Sequence, residues 1–239
     1  MRTPLTAQDA IATITHSHLP SVVTEGKSDY TAFRKMEERL AFLGVSFLPL
    51  TGKDSVIEVW KGLPGAHRWK AFFIVDQDSW VYVGMPKEYV SNDLETTSGY
   101  SIENDLLEDG DLLELCTPAE RAMFDRELEI VCRWHARRVA KIAQGADERI
   151  RDHPNQILNV GAPDISTEPK DVQTWYLTLL TGFSSKLRGK TLMQLLIRQL
   201  SASNREAKHS YNSLIEVAAV RPRHNLSRIE SSIQSYFNS

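Results

Sequence analysis

Cysteine is nearly absent: Cys116 and Cys132 are the only two in 239 residues, which excludes a disulfide scaffold and a Cys-rich zinc site. Both read as small buried hydrophobes. Apolar runs are short, and none approaches the roughly 18–20 residues of a membrane helix. The opening stretch, MRTPLTAQDAIATIT, lacks the apolar core of a signal peptide. Glycine and proline, 12 and 10 in number, are too few and too scattered for low-complexity or collagen-like sequence. There is no internal repeat. What is present, 41% hydrophobic and 25% charged residues, is a globular composition, and the expectation is a cytoplasmic protein with reduced thiols.

The net charge of −3 conceals a division. Residues 1–115 carry 10 basic against 18 acidic side chains, whereas residues 116–239 carry 18 against 13. Seven carboxylates and no Lys or Arg fall between Asp93 and Asp111. The first half is suited to holding cations and the second to holding polyanions, unless both are simply solvated surfaces.

The first half alternates helix and strand. Residues 7–15 read as a short amphipathic helix and 21–24 as a β-branched strand ending at Glu25-Gly26. Phe33, Met36 and Leu40 recur at helical spacing within 28–43. Residues 45–50 form a second strand, 54–63 a helix, and 71–75 (Ala-Phe-Phe-Ile-Val) an unbroken apolar strand of the kind buried on both faces. This order predicts an α/β fold with a parallel sheet of about four strands, flanked by helices. The second half, 116–239, predicts a helical, basic region packing on that core. Thr117-Pro118-Ala119-Glu120 is a capping box with Pro at the first helical position, opening a long helix that stops near Gly145. Residues 151–170, with Pro154, Pro163 and Pro169 among several Asp and Asn, read as loop. Further helices are expected over 171–181, 190–200, 205–217 and 226–237.

In parallel sheets ligands gather at the carboxyl ends of the strands. Glu25, Gly52-Lys53 and Asp76/Asp78 all fall there, and Asp29 lies one turn beyond Glu25. Residues two apart in extended backbone share a side, so Asp76 and Asp78 are expected to converge on one ion. Hard carboxylate oxygens suit Mg²⁺ or Mn²⁺ rather than Zn²⁺. Each acid taken singly is equally a helix N-cap, Asp29 above all.

Glu25-Gly26-Lys27-Ser28-Asp29 after one strand, Leu50-Thr51-Gly52-Lys53 after the next, and Asp76-Gln77-Asp78 after a third resemble the Toprim domain. That is the Mg²⁺ module of topoisomerases, primases and OLD-family nucleases. Tyr100-Ser101-Ile102-Glu103-Asn104-Asp105-Leu106-Leu107 and Arg188-Gly189-Lys190 are similar to stretches of a Toprim-like family encoded beside ABC-type ATPases in bacterial anti-phage loci. The resemblance implies a Toprim-like sheet and a Mg²⁺-dependent nuclease, with tRNA cleavage as its toxic output and an ATPase partner restraining it. It implies Glu25, Asp76, Asp78 and Glu103 as metal ligands, with Asp29 as a further one. Ser101 would cap the short helix that turns Glu103 back to the cluster. Lys53 and Lys190 would neutralise phosphoryl charge, with Lys27 behind them. Many Toprim nucleases pair, so an active homodimer is expected. Two alternatives share these residues: an OLD-like DNA nuclease or nickase, and a non-catalytic module that regulates an ATPase.

Other signals are weaker. Gly189-Lys190-Thr191 and Gly52-Lys53 end like a P-loop, but the required earlier glycine is Ser184 in one and Phe47 in the other. His16 and His18 read as surface, and His135 as a helix-face histidine with an outside prospect of acid–base work. Trp134, Trp175, Tyr176 and Phe183 read as core.

Overall fold

A computed structural model describes residues 5–26 and 30–238, with Tyr30 by its backbone alone. Lys27, Ser28 and the expected ligand Asp29 lie outside the described residues. The chain forms an α/β fold whose sheet has four parallel strands in the order β2-β1-β3-β4.

Helix α1 (Ala7–His16) opens on a capping box between Thr6 and Asp9. Strand β1 (Ser21–Glu25), α2 (Tyr30–Arg39), β2 (Ser46–Leu50), α3 (Gly52–Gly62) and β3 (Ala71–Val75) follow at the expected places. The short α4 (Trp80–Val83) leads to β4 (Leu94–Thr96), which pairs with β3 as the edge strand. Then come α5 (Ile102–Asp109) and the long α6 (Pro118–Ala143) with its Thr117/Glu120 capping box.

The sheet is covered on both faces, which is why its central strand β3 is an unbroken, fully buried apolar run. Val22, Phe72 and Ile74 face one core, and Val23, Phe73 and Val75 face the other. Helices α1 and α3 close the second face with Ala10, Ile14, Val56 and Val59. The first face is closed by α2, α5 and α6, and by the helices that follow. These are α7 (Pro154–Val160), α8 (Lys170–Thr181), α9 (Phe183–Lys186), α10 (Gly189–Leu200), α11 (Tyr211–Val220) and α12 (His224–Phe237). One hydrophobic core runs from Val22 to Ile233, so the basic helical half packs on the acidic half without a break at residue 116.

Two helix expectations shift. The stretch 151–170 contains α7, because Pro154 takes the first helical position, His153 Nδ1 accepts from the Asn155 amide, and Ile157 is buried. The helix expected from 205 begins instead at Tyr211, where Ser210 and Ser213 form a capping box. Arg205 is held outside any helix by Glu120 and the Leu115 carbonyl. Among the described residues, no helix is long and apolar enough to cross a membrane.

Candidate metal centre at the strand ends

The strand order places the switch point between β1 and β3, because the chain leaves β1 to one side for β2 and returns on the other for β3. Crevices at such points are where open parallel sheets bind ligands. Glu25 ends β1 there, and Asp76 directly follows β3. They meet: the Asp76 backbone N–H donates to Glu25 Oε1 at 2.7 Å. Gly26 takes a left-handed φ of 63° as β1 ends, and its amide donates to the Leu50 carbonyl at 2.9 Å.

The loop after β4 clamps the segment 76–78. Asp76 Oδ1 accepts from the Ile102 amide at 3.0 Å, at the first turn of α5. The Gln77 amide donates to Thr97 Oγ1, and its side-chain amide donates to the Thr97 and Ser98 carbonyls. The Asp78 amide donates to the Tyr100 carbonyl at 2.7 Å. Asp105, almost fully buried, holds the same loop by accepting from the Ser98 and Gly99 amides at 2.9 and 2.8 Å. Burial pushes its carboxyl up to about 6, against those two amides, which lower it.

At Asp78 the backbone leaves the extended form. Its φ is 48°, a left-handed turn, and its carboxylate pairs with Lys53 Nζ at 3.1 Å. Lys53 also donates to the Gln77 carbonyl at 3.0 Å, so the Gly52-Lys53 turn does reach the strand ends. Burial raises the Tyr100 hydroxyl pKa well above its ordinary value; the Asp78 and Asp76 charges add to this, and Arg188 opposes it.

Glu103 corrects the expectation that it points back to the cluster. It is 1% exposed, and its two oxygens accept from Ser101 Oγ and from the Tyr211 hydroxyl, each at 2.6 Å. The local motif forms as expected, since Ser101 and Asn104 make the capping box of α5. What redirects Glu103 is Tyr211, 108 residues away on α11. Asn104 also donates to the Ser184 and Leu187 carbonyls, tying α5 to α9 and to the entry of α10. Lys190 is exposed on the first turn of α10.

Among the described residues, no three His, Cys, Asp or Glu side chains gather closely enough to hold a metal ion as a preformed cage. The set assembled at the switch point is Glu25, Asp76, Asp78 and Lys53, with Glu103 and Lys190 apart from it. Two carboxylates on adjacent strand ends do fit Mg²⁺, which usually takes one or two protein carboxylates and completes its shell with water and phosphate. His135 is fully buried within α6 and both its ring nitrogens lack a partner; burial lowers its pKa to about 4.

No protein-family profile matches the chain, and no curated protein matches it in sequence.

Proposed function

We propose that the chain is a Mg²⁺-dependent phosphodiesterase, a nuclease of the Toprim-like effector kind. The observation that carries this reading is the junction of Glu25 and Asp76 at the switch point, joined by the 2.7 Å hydrogen bond from the Asp76 amide. Glu25 and Asp76 would hold the ion. When bound, the ion activates a water and neutralises charge on the phosphoryl oxygens. Asp76 is kept in place by the Ile102 amide, so the strand ends are preorganised rather than floppy. Lys53, fixed between Asp78 and the Gln77 carbonyl, brings a positive charge to the site that binds a substrate phosphate. Glu103 serves on this reading as a strut behind the site.

The resemblance extends to AriB, the nuclease effector of the PARIS anti-phage system, and carries three further proposals. The substrate is tRNA, the active form is a homodimer, and an ABC-type ATPase restrains the effector until infection. The basic residues of the helical half, nine against three acidic over 181–239, supply phosphate contacts that the acidic half does not.

The test is incubation of the purified chain with Mg²⁺ and either tRNA or supercoiled plasmid, alongside Glu25→Gln. The proposal expects tRNA cleavage that EDTA stops and that Glu25→Gln abolishes with an unchanged melting curve. Cleavage of plasmid alone would make it an OLD-like DNA nuclease. A second reading is a non-catalytic module that regulates an ATPase. Absence of cleavage together with capture of the ATPase by both the starting chain and Glu25→Gln would establish it.

A further inference from the structure

A column of aromatic rings starts two residues beyond Asp78. Trp80, the first residue of α4, stacks on Tyr89 with centroids 5.3 Å apart and planes 23° apart. Trp60 of α3 meets Tyr89 edge-on at 6.0 Å. Lysines lie over both rings of the stack. Lys53 Nζ is 4.0 Å from the Trp80 centroid, and Lys61 Nζ is 5.0 Å from that of Tyr89. The two lysines differ in burial: the Lys53 side chain is 15% exposed and bonded to Asp78, whereas that of Lys61 is 54% exposed and held, among the described residues, only by a long ion pair with the exposed Glu88 at 3.9 Å and a 3.4 Å hydrogen bond to the Tyr89 hydroxyl. Val83 and Val90, 54% and 71% exposed, lie close in sequence to Trp80 and Tyr89.

Trp60 and Trp80 pack against the core of the second sheet face, whereas Tyr89, half-buried, belongs to neither core cluster and is the outer ring of the stack. Flat rings suit a planar apolar ligand, and lysines beside them suit a negative charge. A nucleotide has both parts, with a base for the ring face and a phosphate for the ammonium. A duplex keeps its bases inside its own stack and offers no free face to Tyr89. We propose that Tyr89, backed by Trp80, is a stacking platform for one unpaired nucleobase of the substrate, and that Lys61 moves off the ring to take an adjoining phosphate. This rests on reading the neighbouring strand ends as the phosphodiester site: Lys53 touches both Asp78 and Trp80, so it links the platform to that site.

The platform is tested on the full chain carrying Glu25→Gln, so that bound strands survive. Fluorescence anisotropy would compare a short single-stranded oligonucleotide with the same backbone carrying abasic sugars, in RNA and DNA versions. The intact strand is expected to bind about tenfold more tightly than the abasic one, the order that one base–aromatic stack contributes. Adding Tyr89→Ala should erase that preference, and Tyr89→Phe should keep it. If Tyr89→Ala lowers the melting temperature, Tyr89→Leu, which keeps the bulk without the π face, takes its place. Equal binding of the two strands, a preference surviving in Tyr89→Ala, or no binding of either strand would overturn the platform. Cleavage by the starting chain is scored separately. A base preference without Mg²⁺-dependent cleavage leaves the platform standing and removes the nuclease, and cleavage without a base preference does the reverse.

Discussion

The Tyr211 hydroxyl donates to Glu103 at 2.6 Å and joins α11 to the first turn of α5, the turn whose Ile102 amide holds Asp76. A carboxylate bound in this way is part of the framework. Tyr211→Phe keeps the ring and removes one donor from a buried acceptor, which is expected to cost about 1–3 kcal/mol. Urea unfolding checks this. Glu103→Gln is expected to lower stability while leaving Mg²⁺ affinity, read by calorimetry, within about twofold, the change expected of a group that does not touch the ion. If Glu103→Gln lost Mg²⁺ binding with its unfolding midpoint intact, Glu103 would be a ligand after all.

The same corner allows no added atom at Gly189. A Cβ there would sit 2.3 Å from Ser101 Oγ, 2.6 Å from Asn104 Oδ1 and 2.8 Å from Glu103 Cβ. Those neighbours cannot give way cheaply, because Ser101 and Asn104 form the α5 cap and Glu103 is pinned by Tyr211. Gly189→Ala is therefore expected to destabilise by about 1–3 kcal/mol, despite alanine's better helix propensity. The P-loop-like look of Gly189-Lys190-Thr191 thus has a packing explanation. A melting temperature at or above that of the starting protein would contradict it.

Sequence reading succeeds where the cause is local. The apolar run at 71–75 announces a strand covered on both faces, and the Thr117 capping box announces α6. Glu25 and Asp76 were legible as strand-end acids because parallel order alone sends them to one edge. β4 is only Leu94–Thr96, too short to show a period. At Asp78 the pleat gives way to a left-handed turn, which no strand period announces. Glu103 was misread because Tyr211 is remote in sequence. The Trp80–Tyr89 stack follows no helical or strand spacing, and its one sequence signal is Tyr89 set in the largely exposed stretch that follows Trp80.

Lys53 is expected to matter to chemistry more than to folding. Lys53→Met retains an apolar stem against Trp80 and removes the ammonium that pairs with Asp78 at 3.1 Å. If Lys53 neutralises phosphoryl charge, kcat should fall about 10²- to 10³-fold, the scale of losing one preorganised donor. The KM should change much less. Exposed Lys190, replaced by Met in the same assay, should lower kcat by less than about threefold, since an exposed ammonium is strongly screened by solvent. Equal losses for the two lysines would return Lys190 to the site.

Two buried groups set opposite slopes in acid. His135 has an ordinary value of 6.5 and is lowered to about 4 by burial, with the Asp152 charge raising it and Arg138 and Arg188 lowering it further. Its contribution is complete above pH 6.5 and is lost as pH falls toward 4, because the unfolded chain takes up the proton first. That loss reaches about 3 kcal/mol. Asp105 is raised from 3.8 to about 6 by burial. Its contribution is complete below pH 3.8 and is lost as pH rises through 6, because the folded chain holds the proton longer. That term is also about 3 kcal/mol, so the two nearly cancel between pH 6 and 4. Urea unfolding at pH 7, 5.5 and 4.5 (about one unit apart or more, wide enough for terms of this size) should show a shallow profile for the starting protein. Asp105→Asn should expose the histidine term, with stability falling steeply on acidification. His135→Leu should expose the carboxyl term, with stability rising relative to the starting protein over the same range. Parallel profiles for all three proteins would mean that neither group titrates across folding as its burial requires.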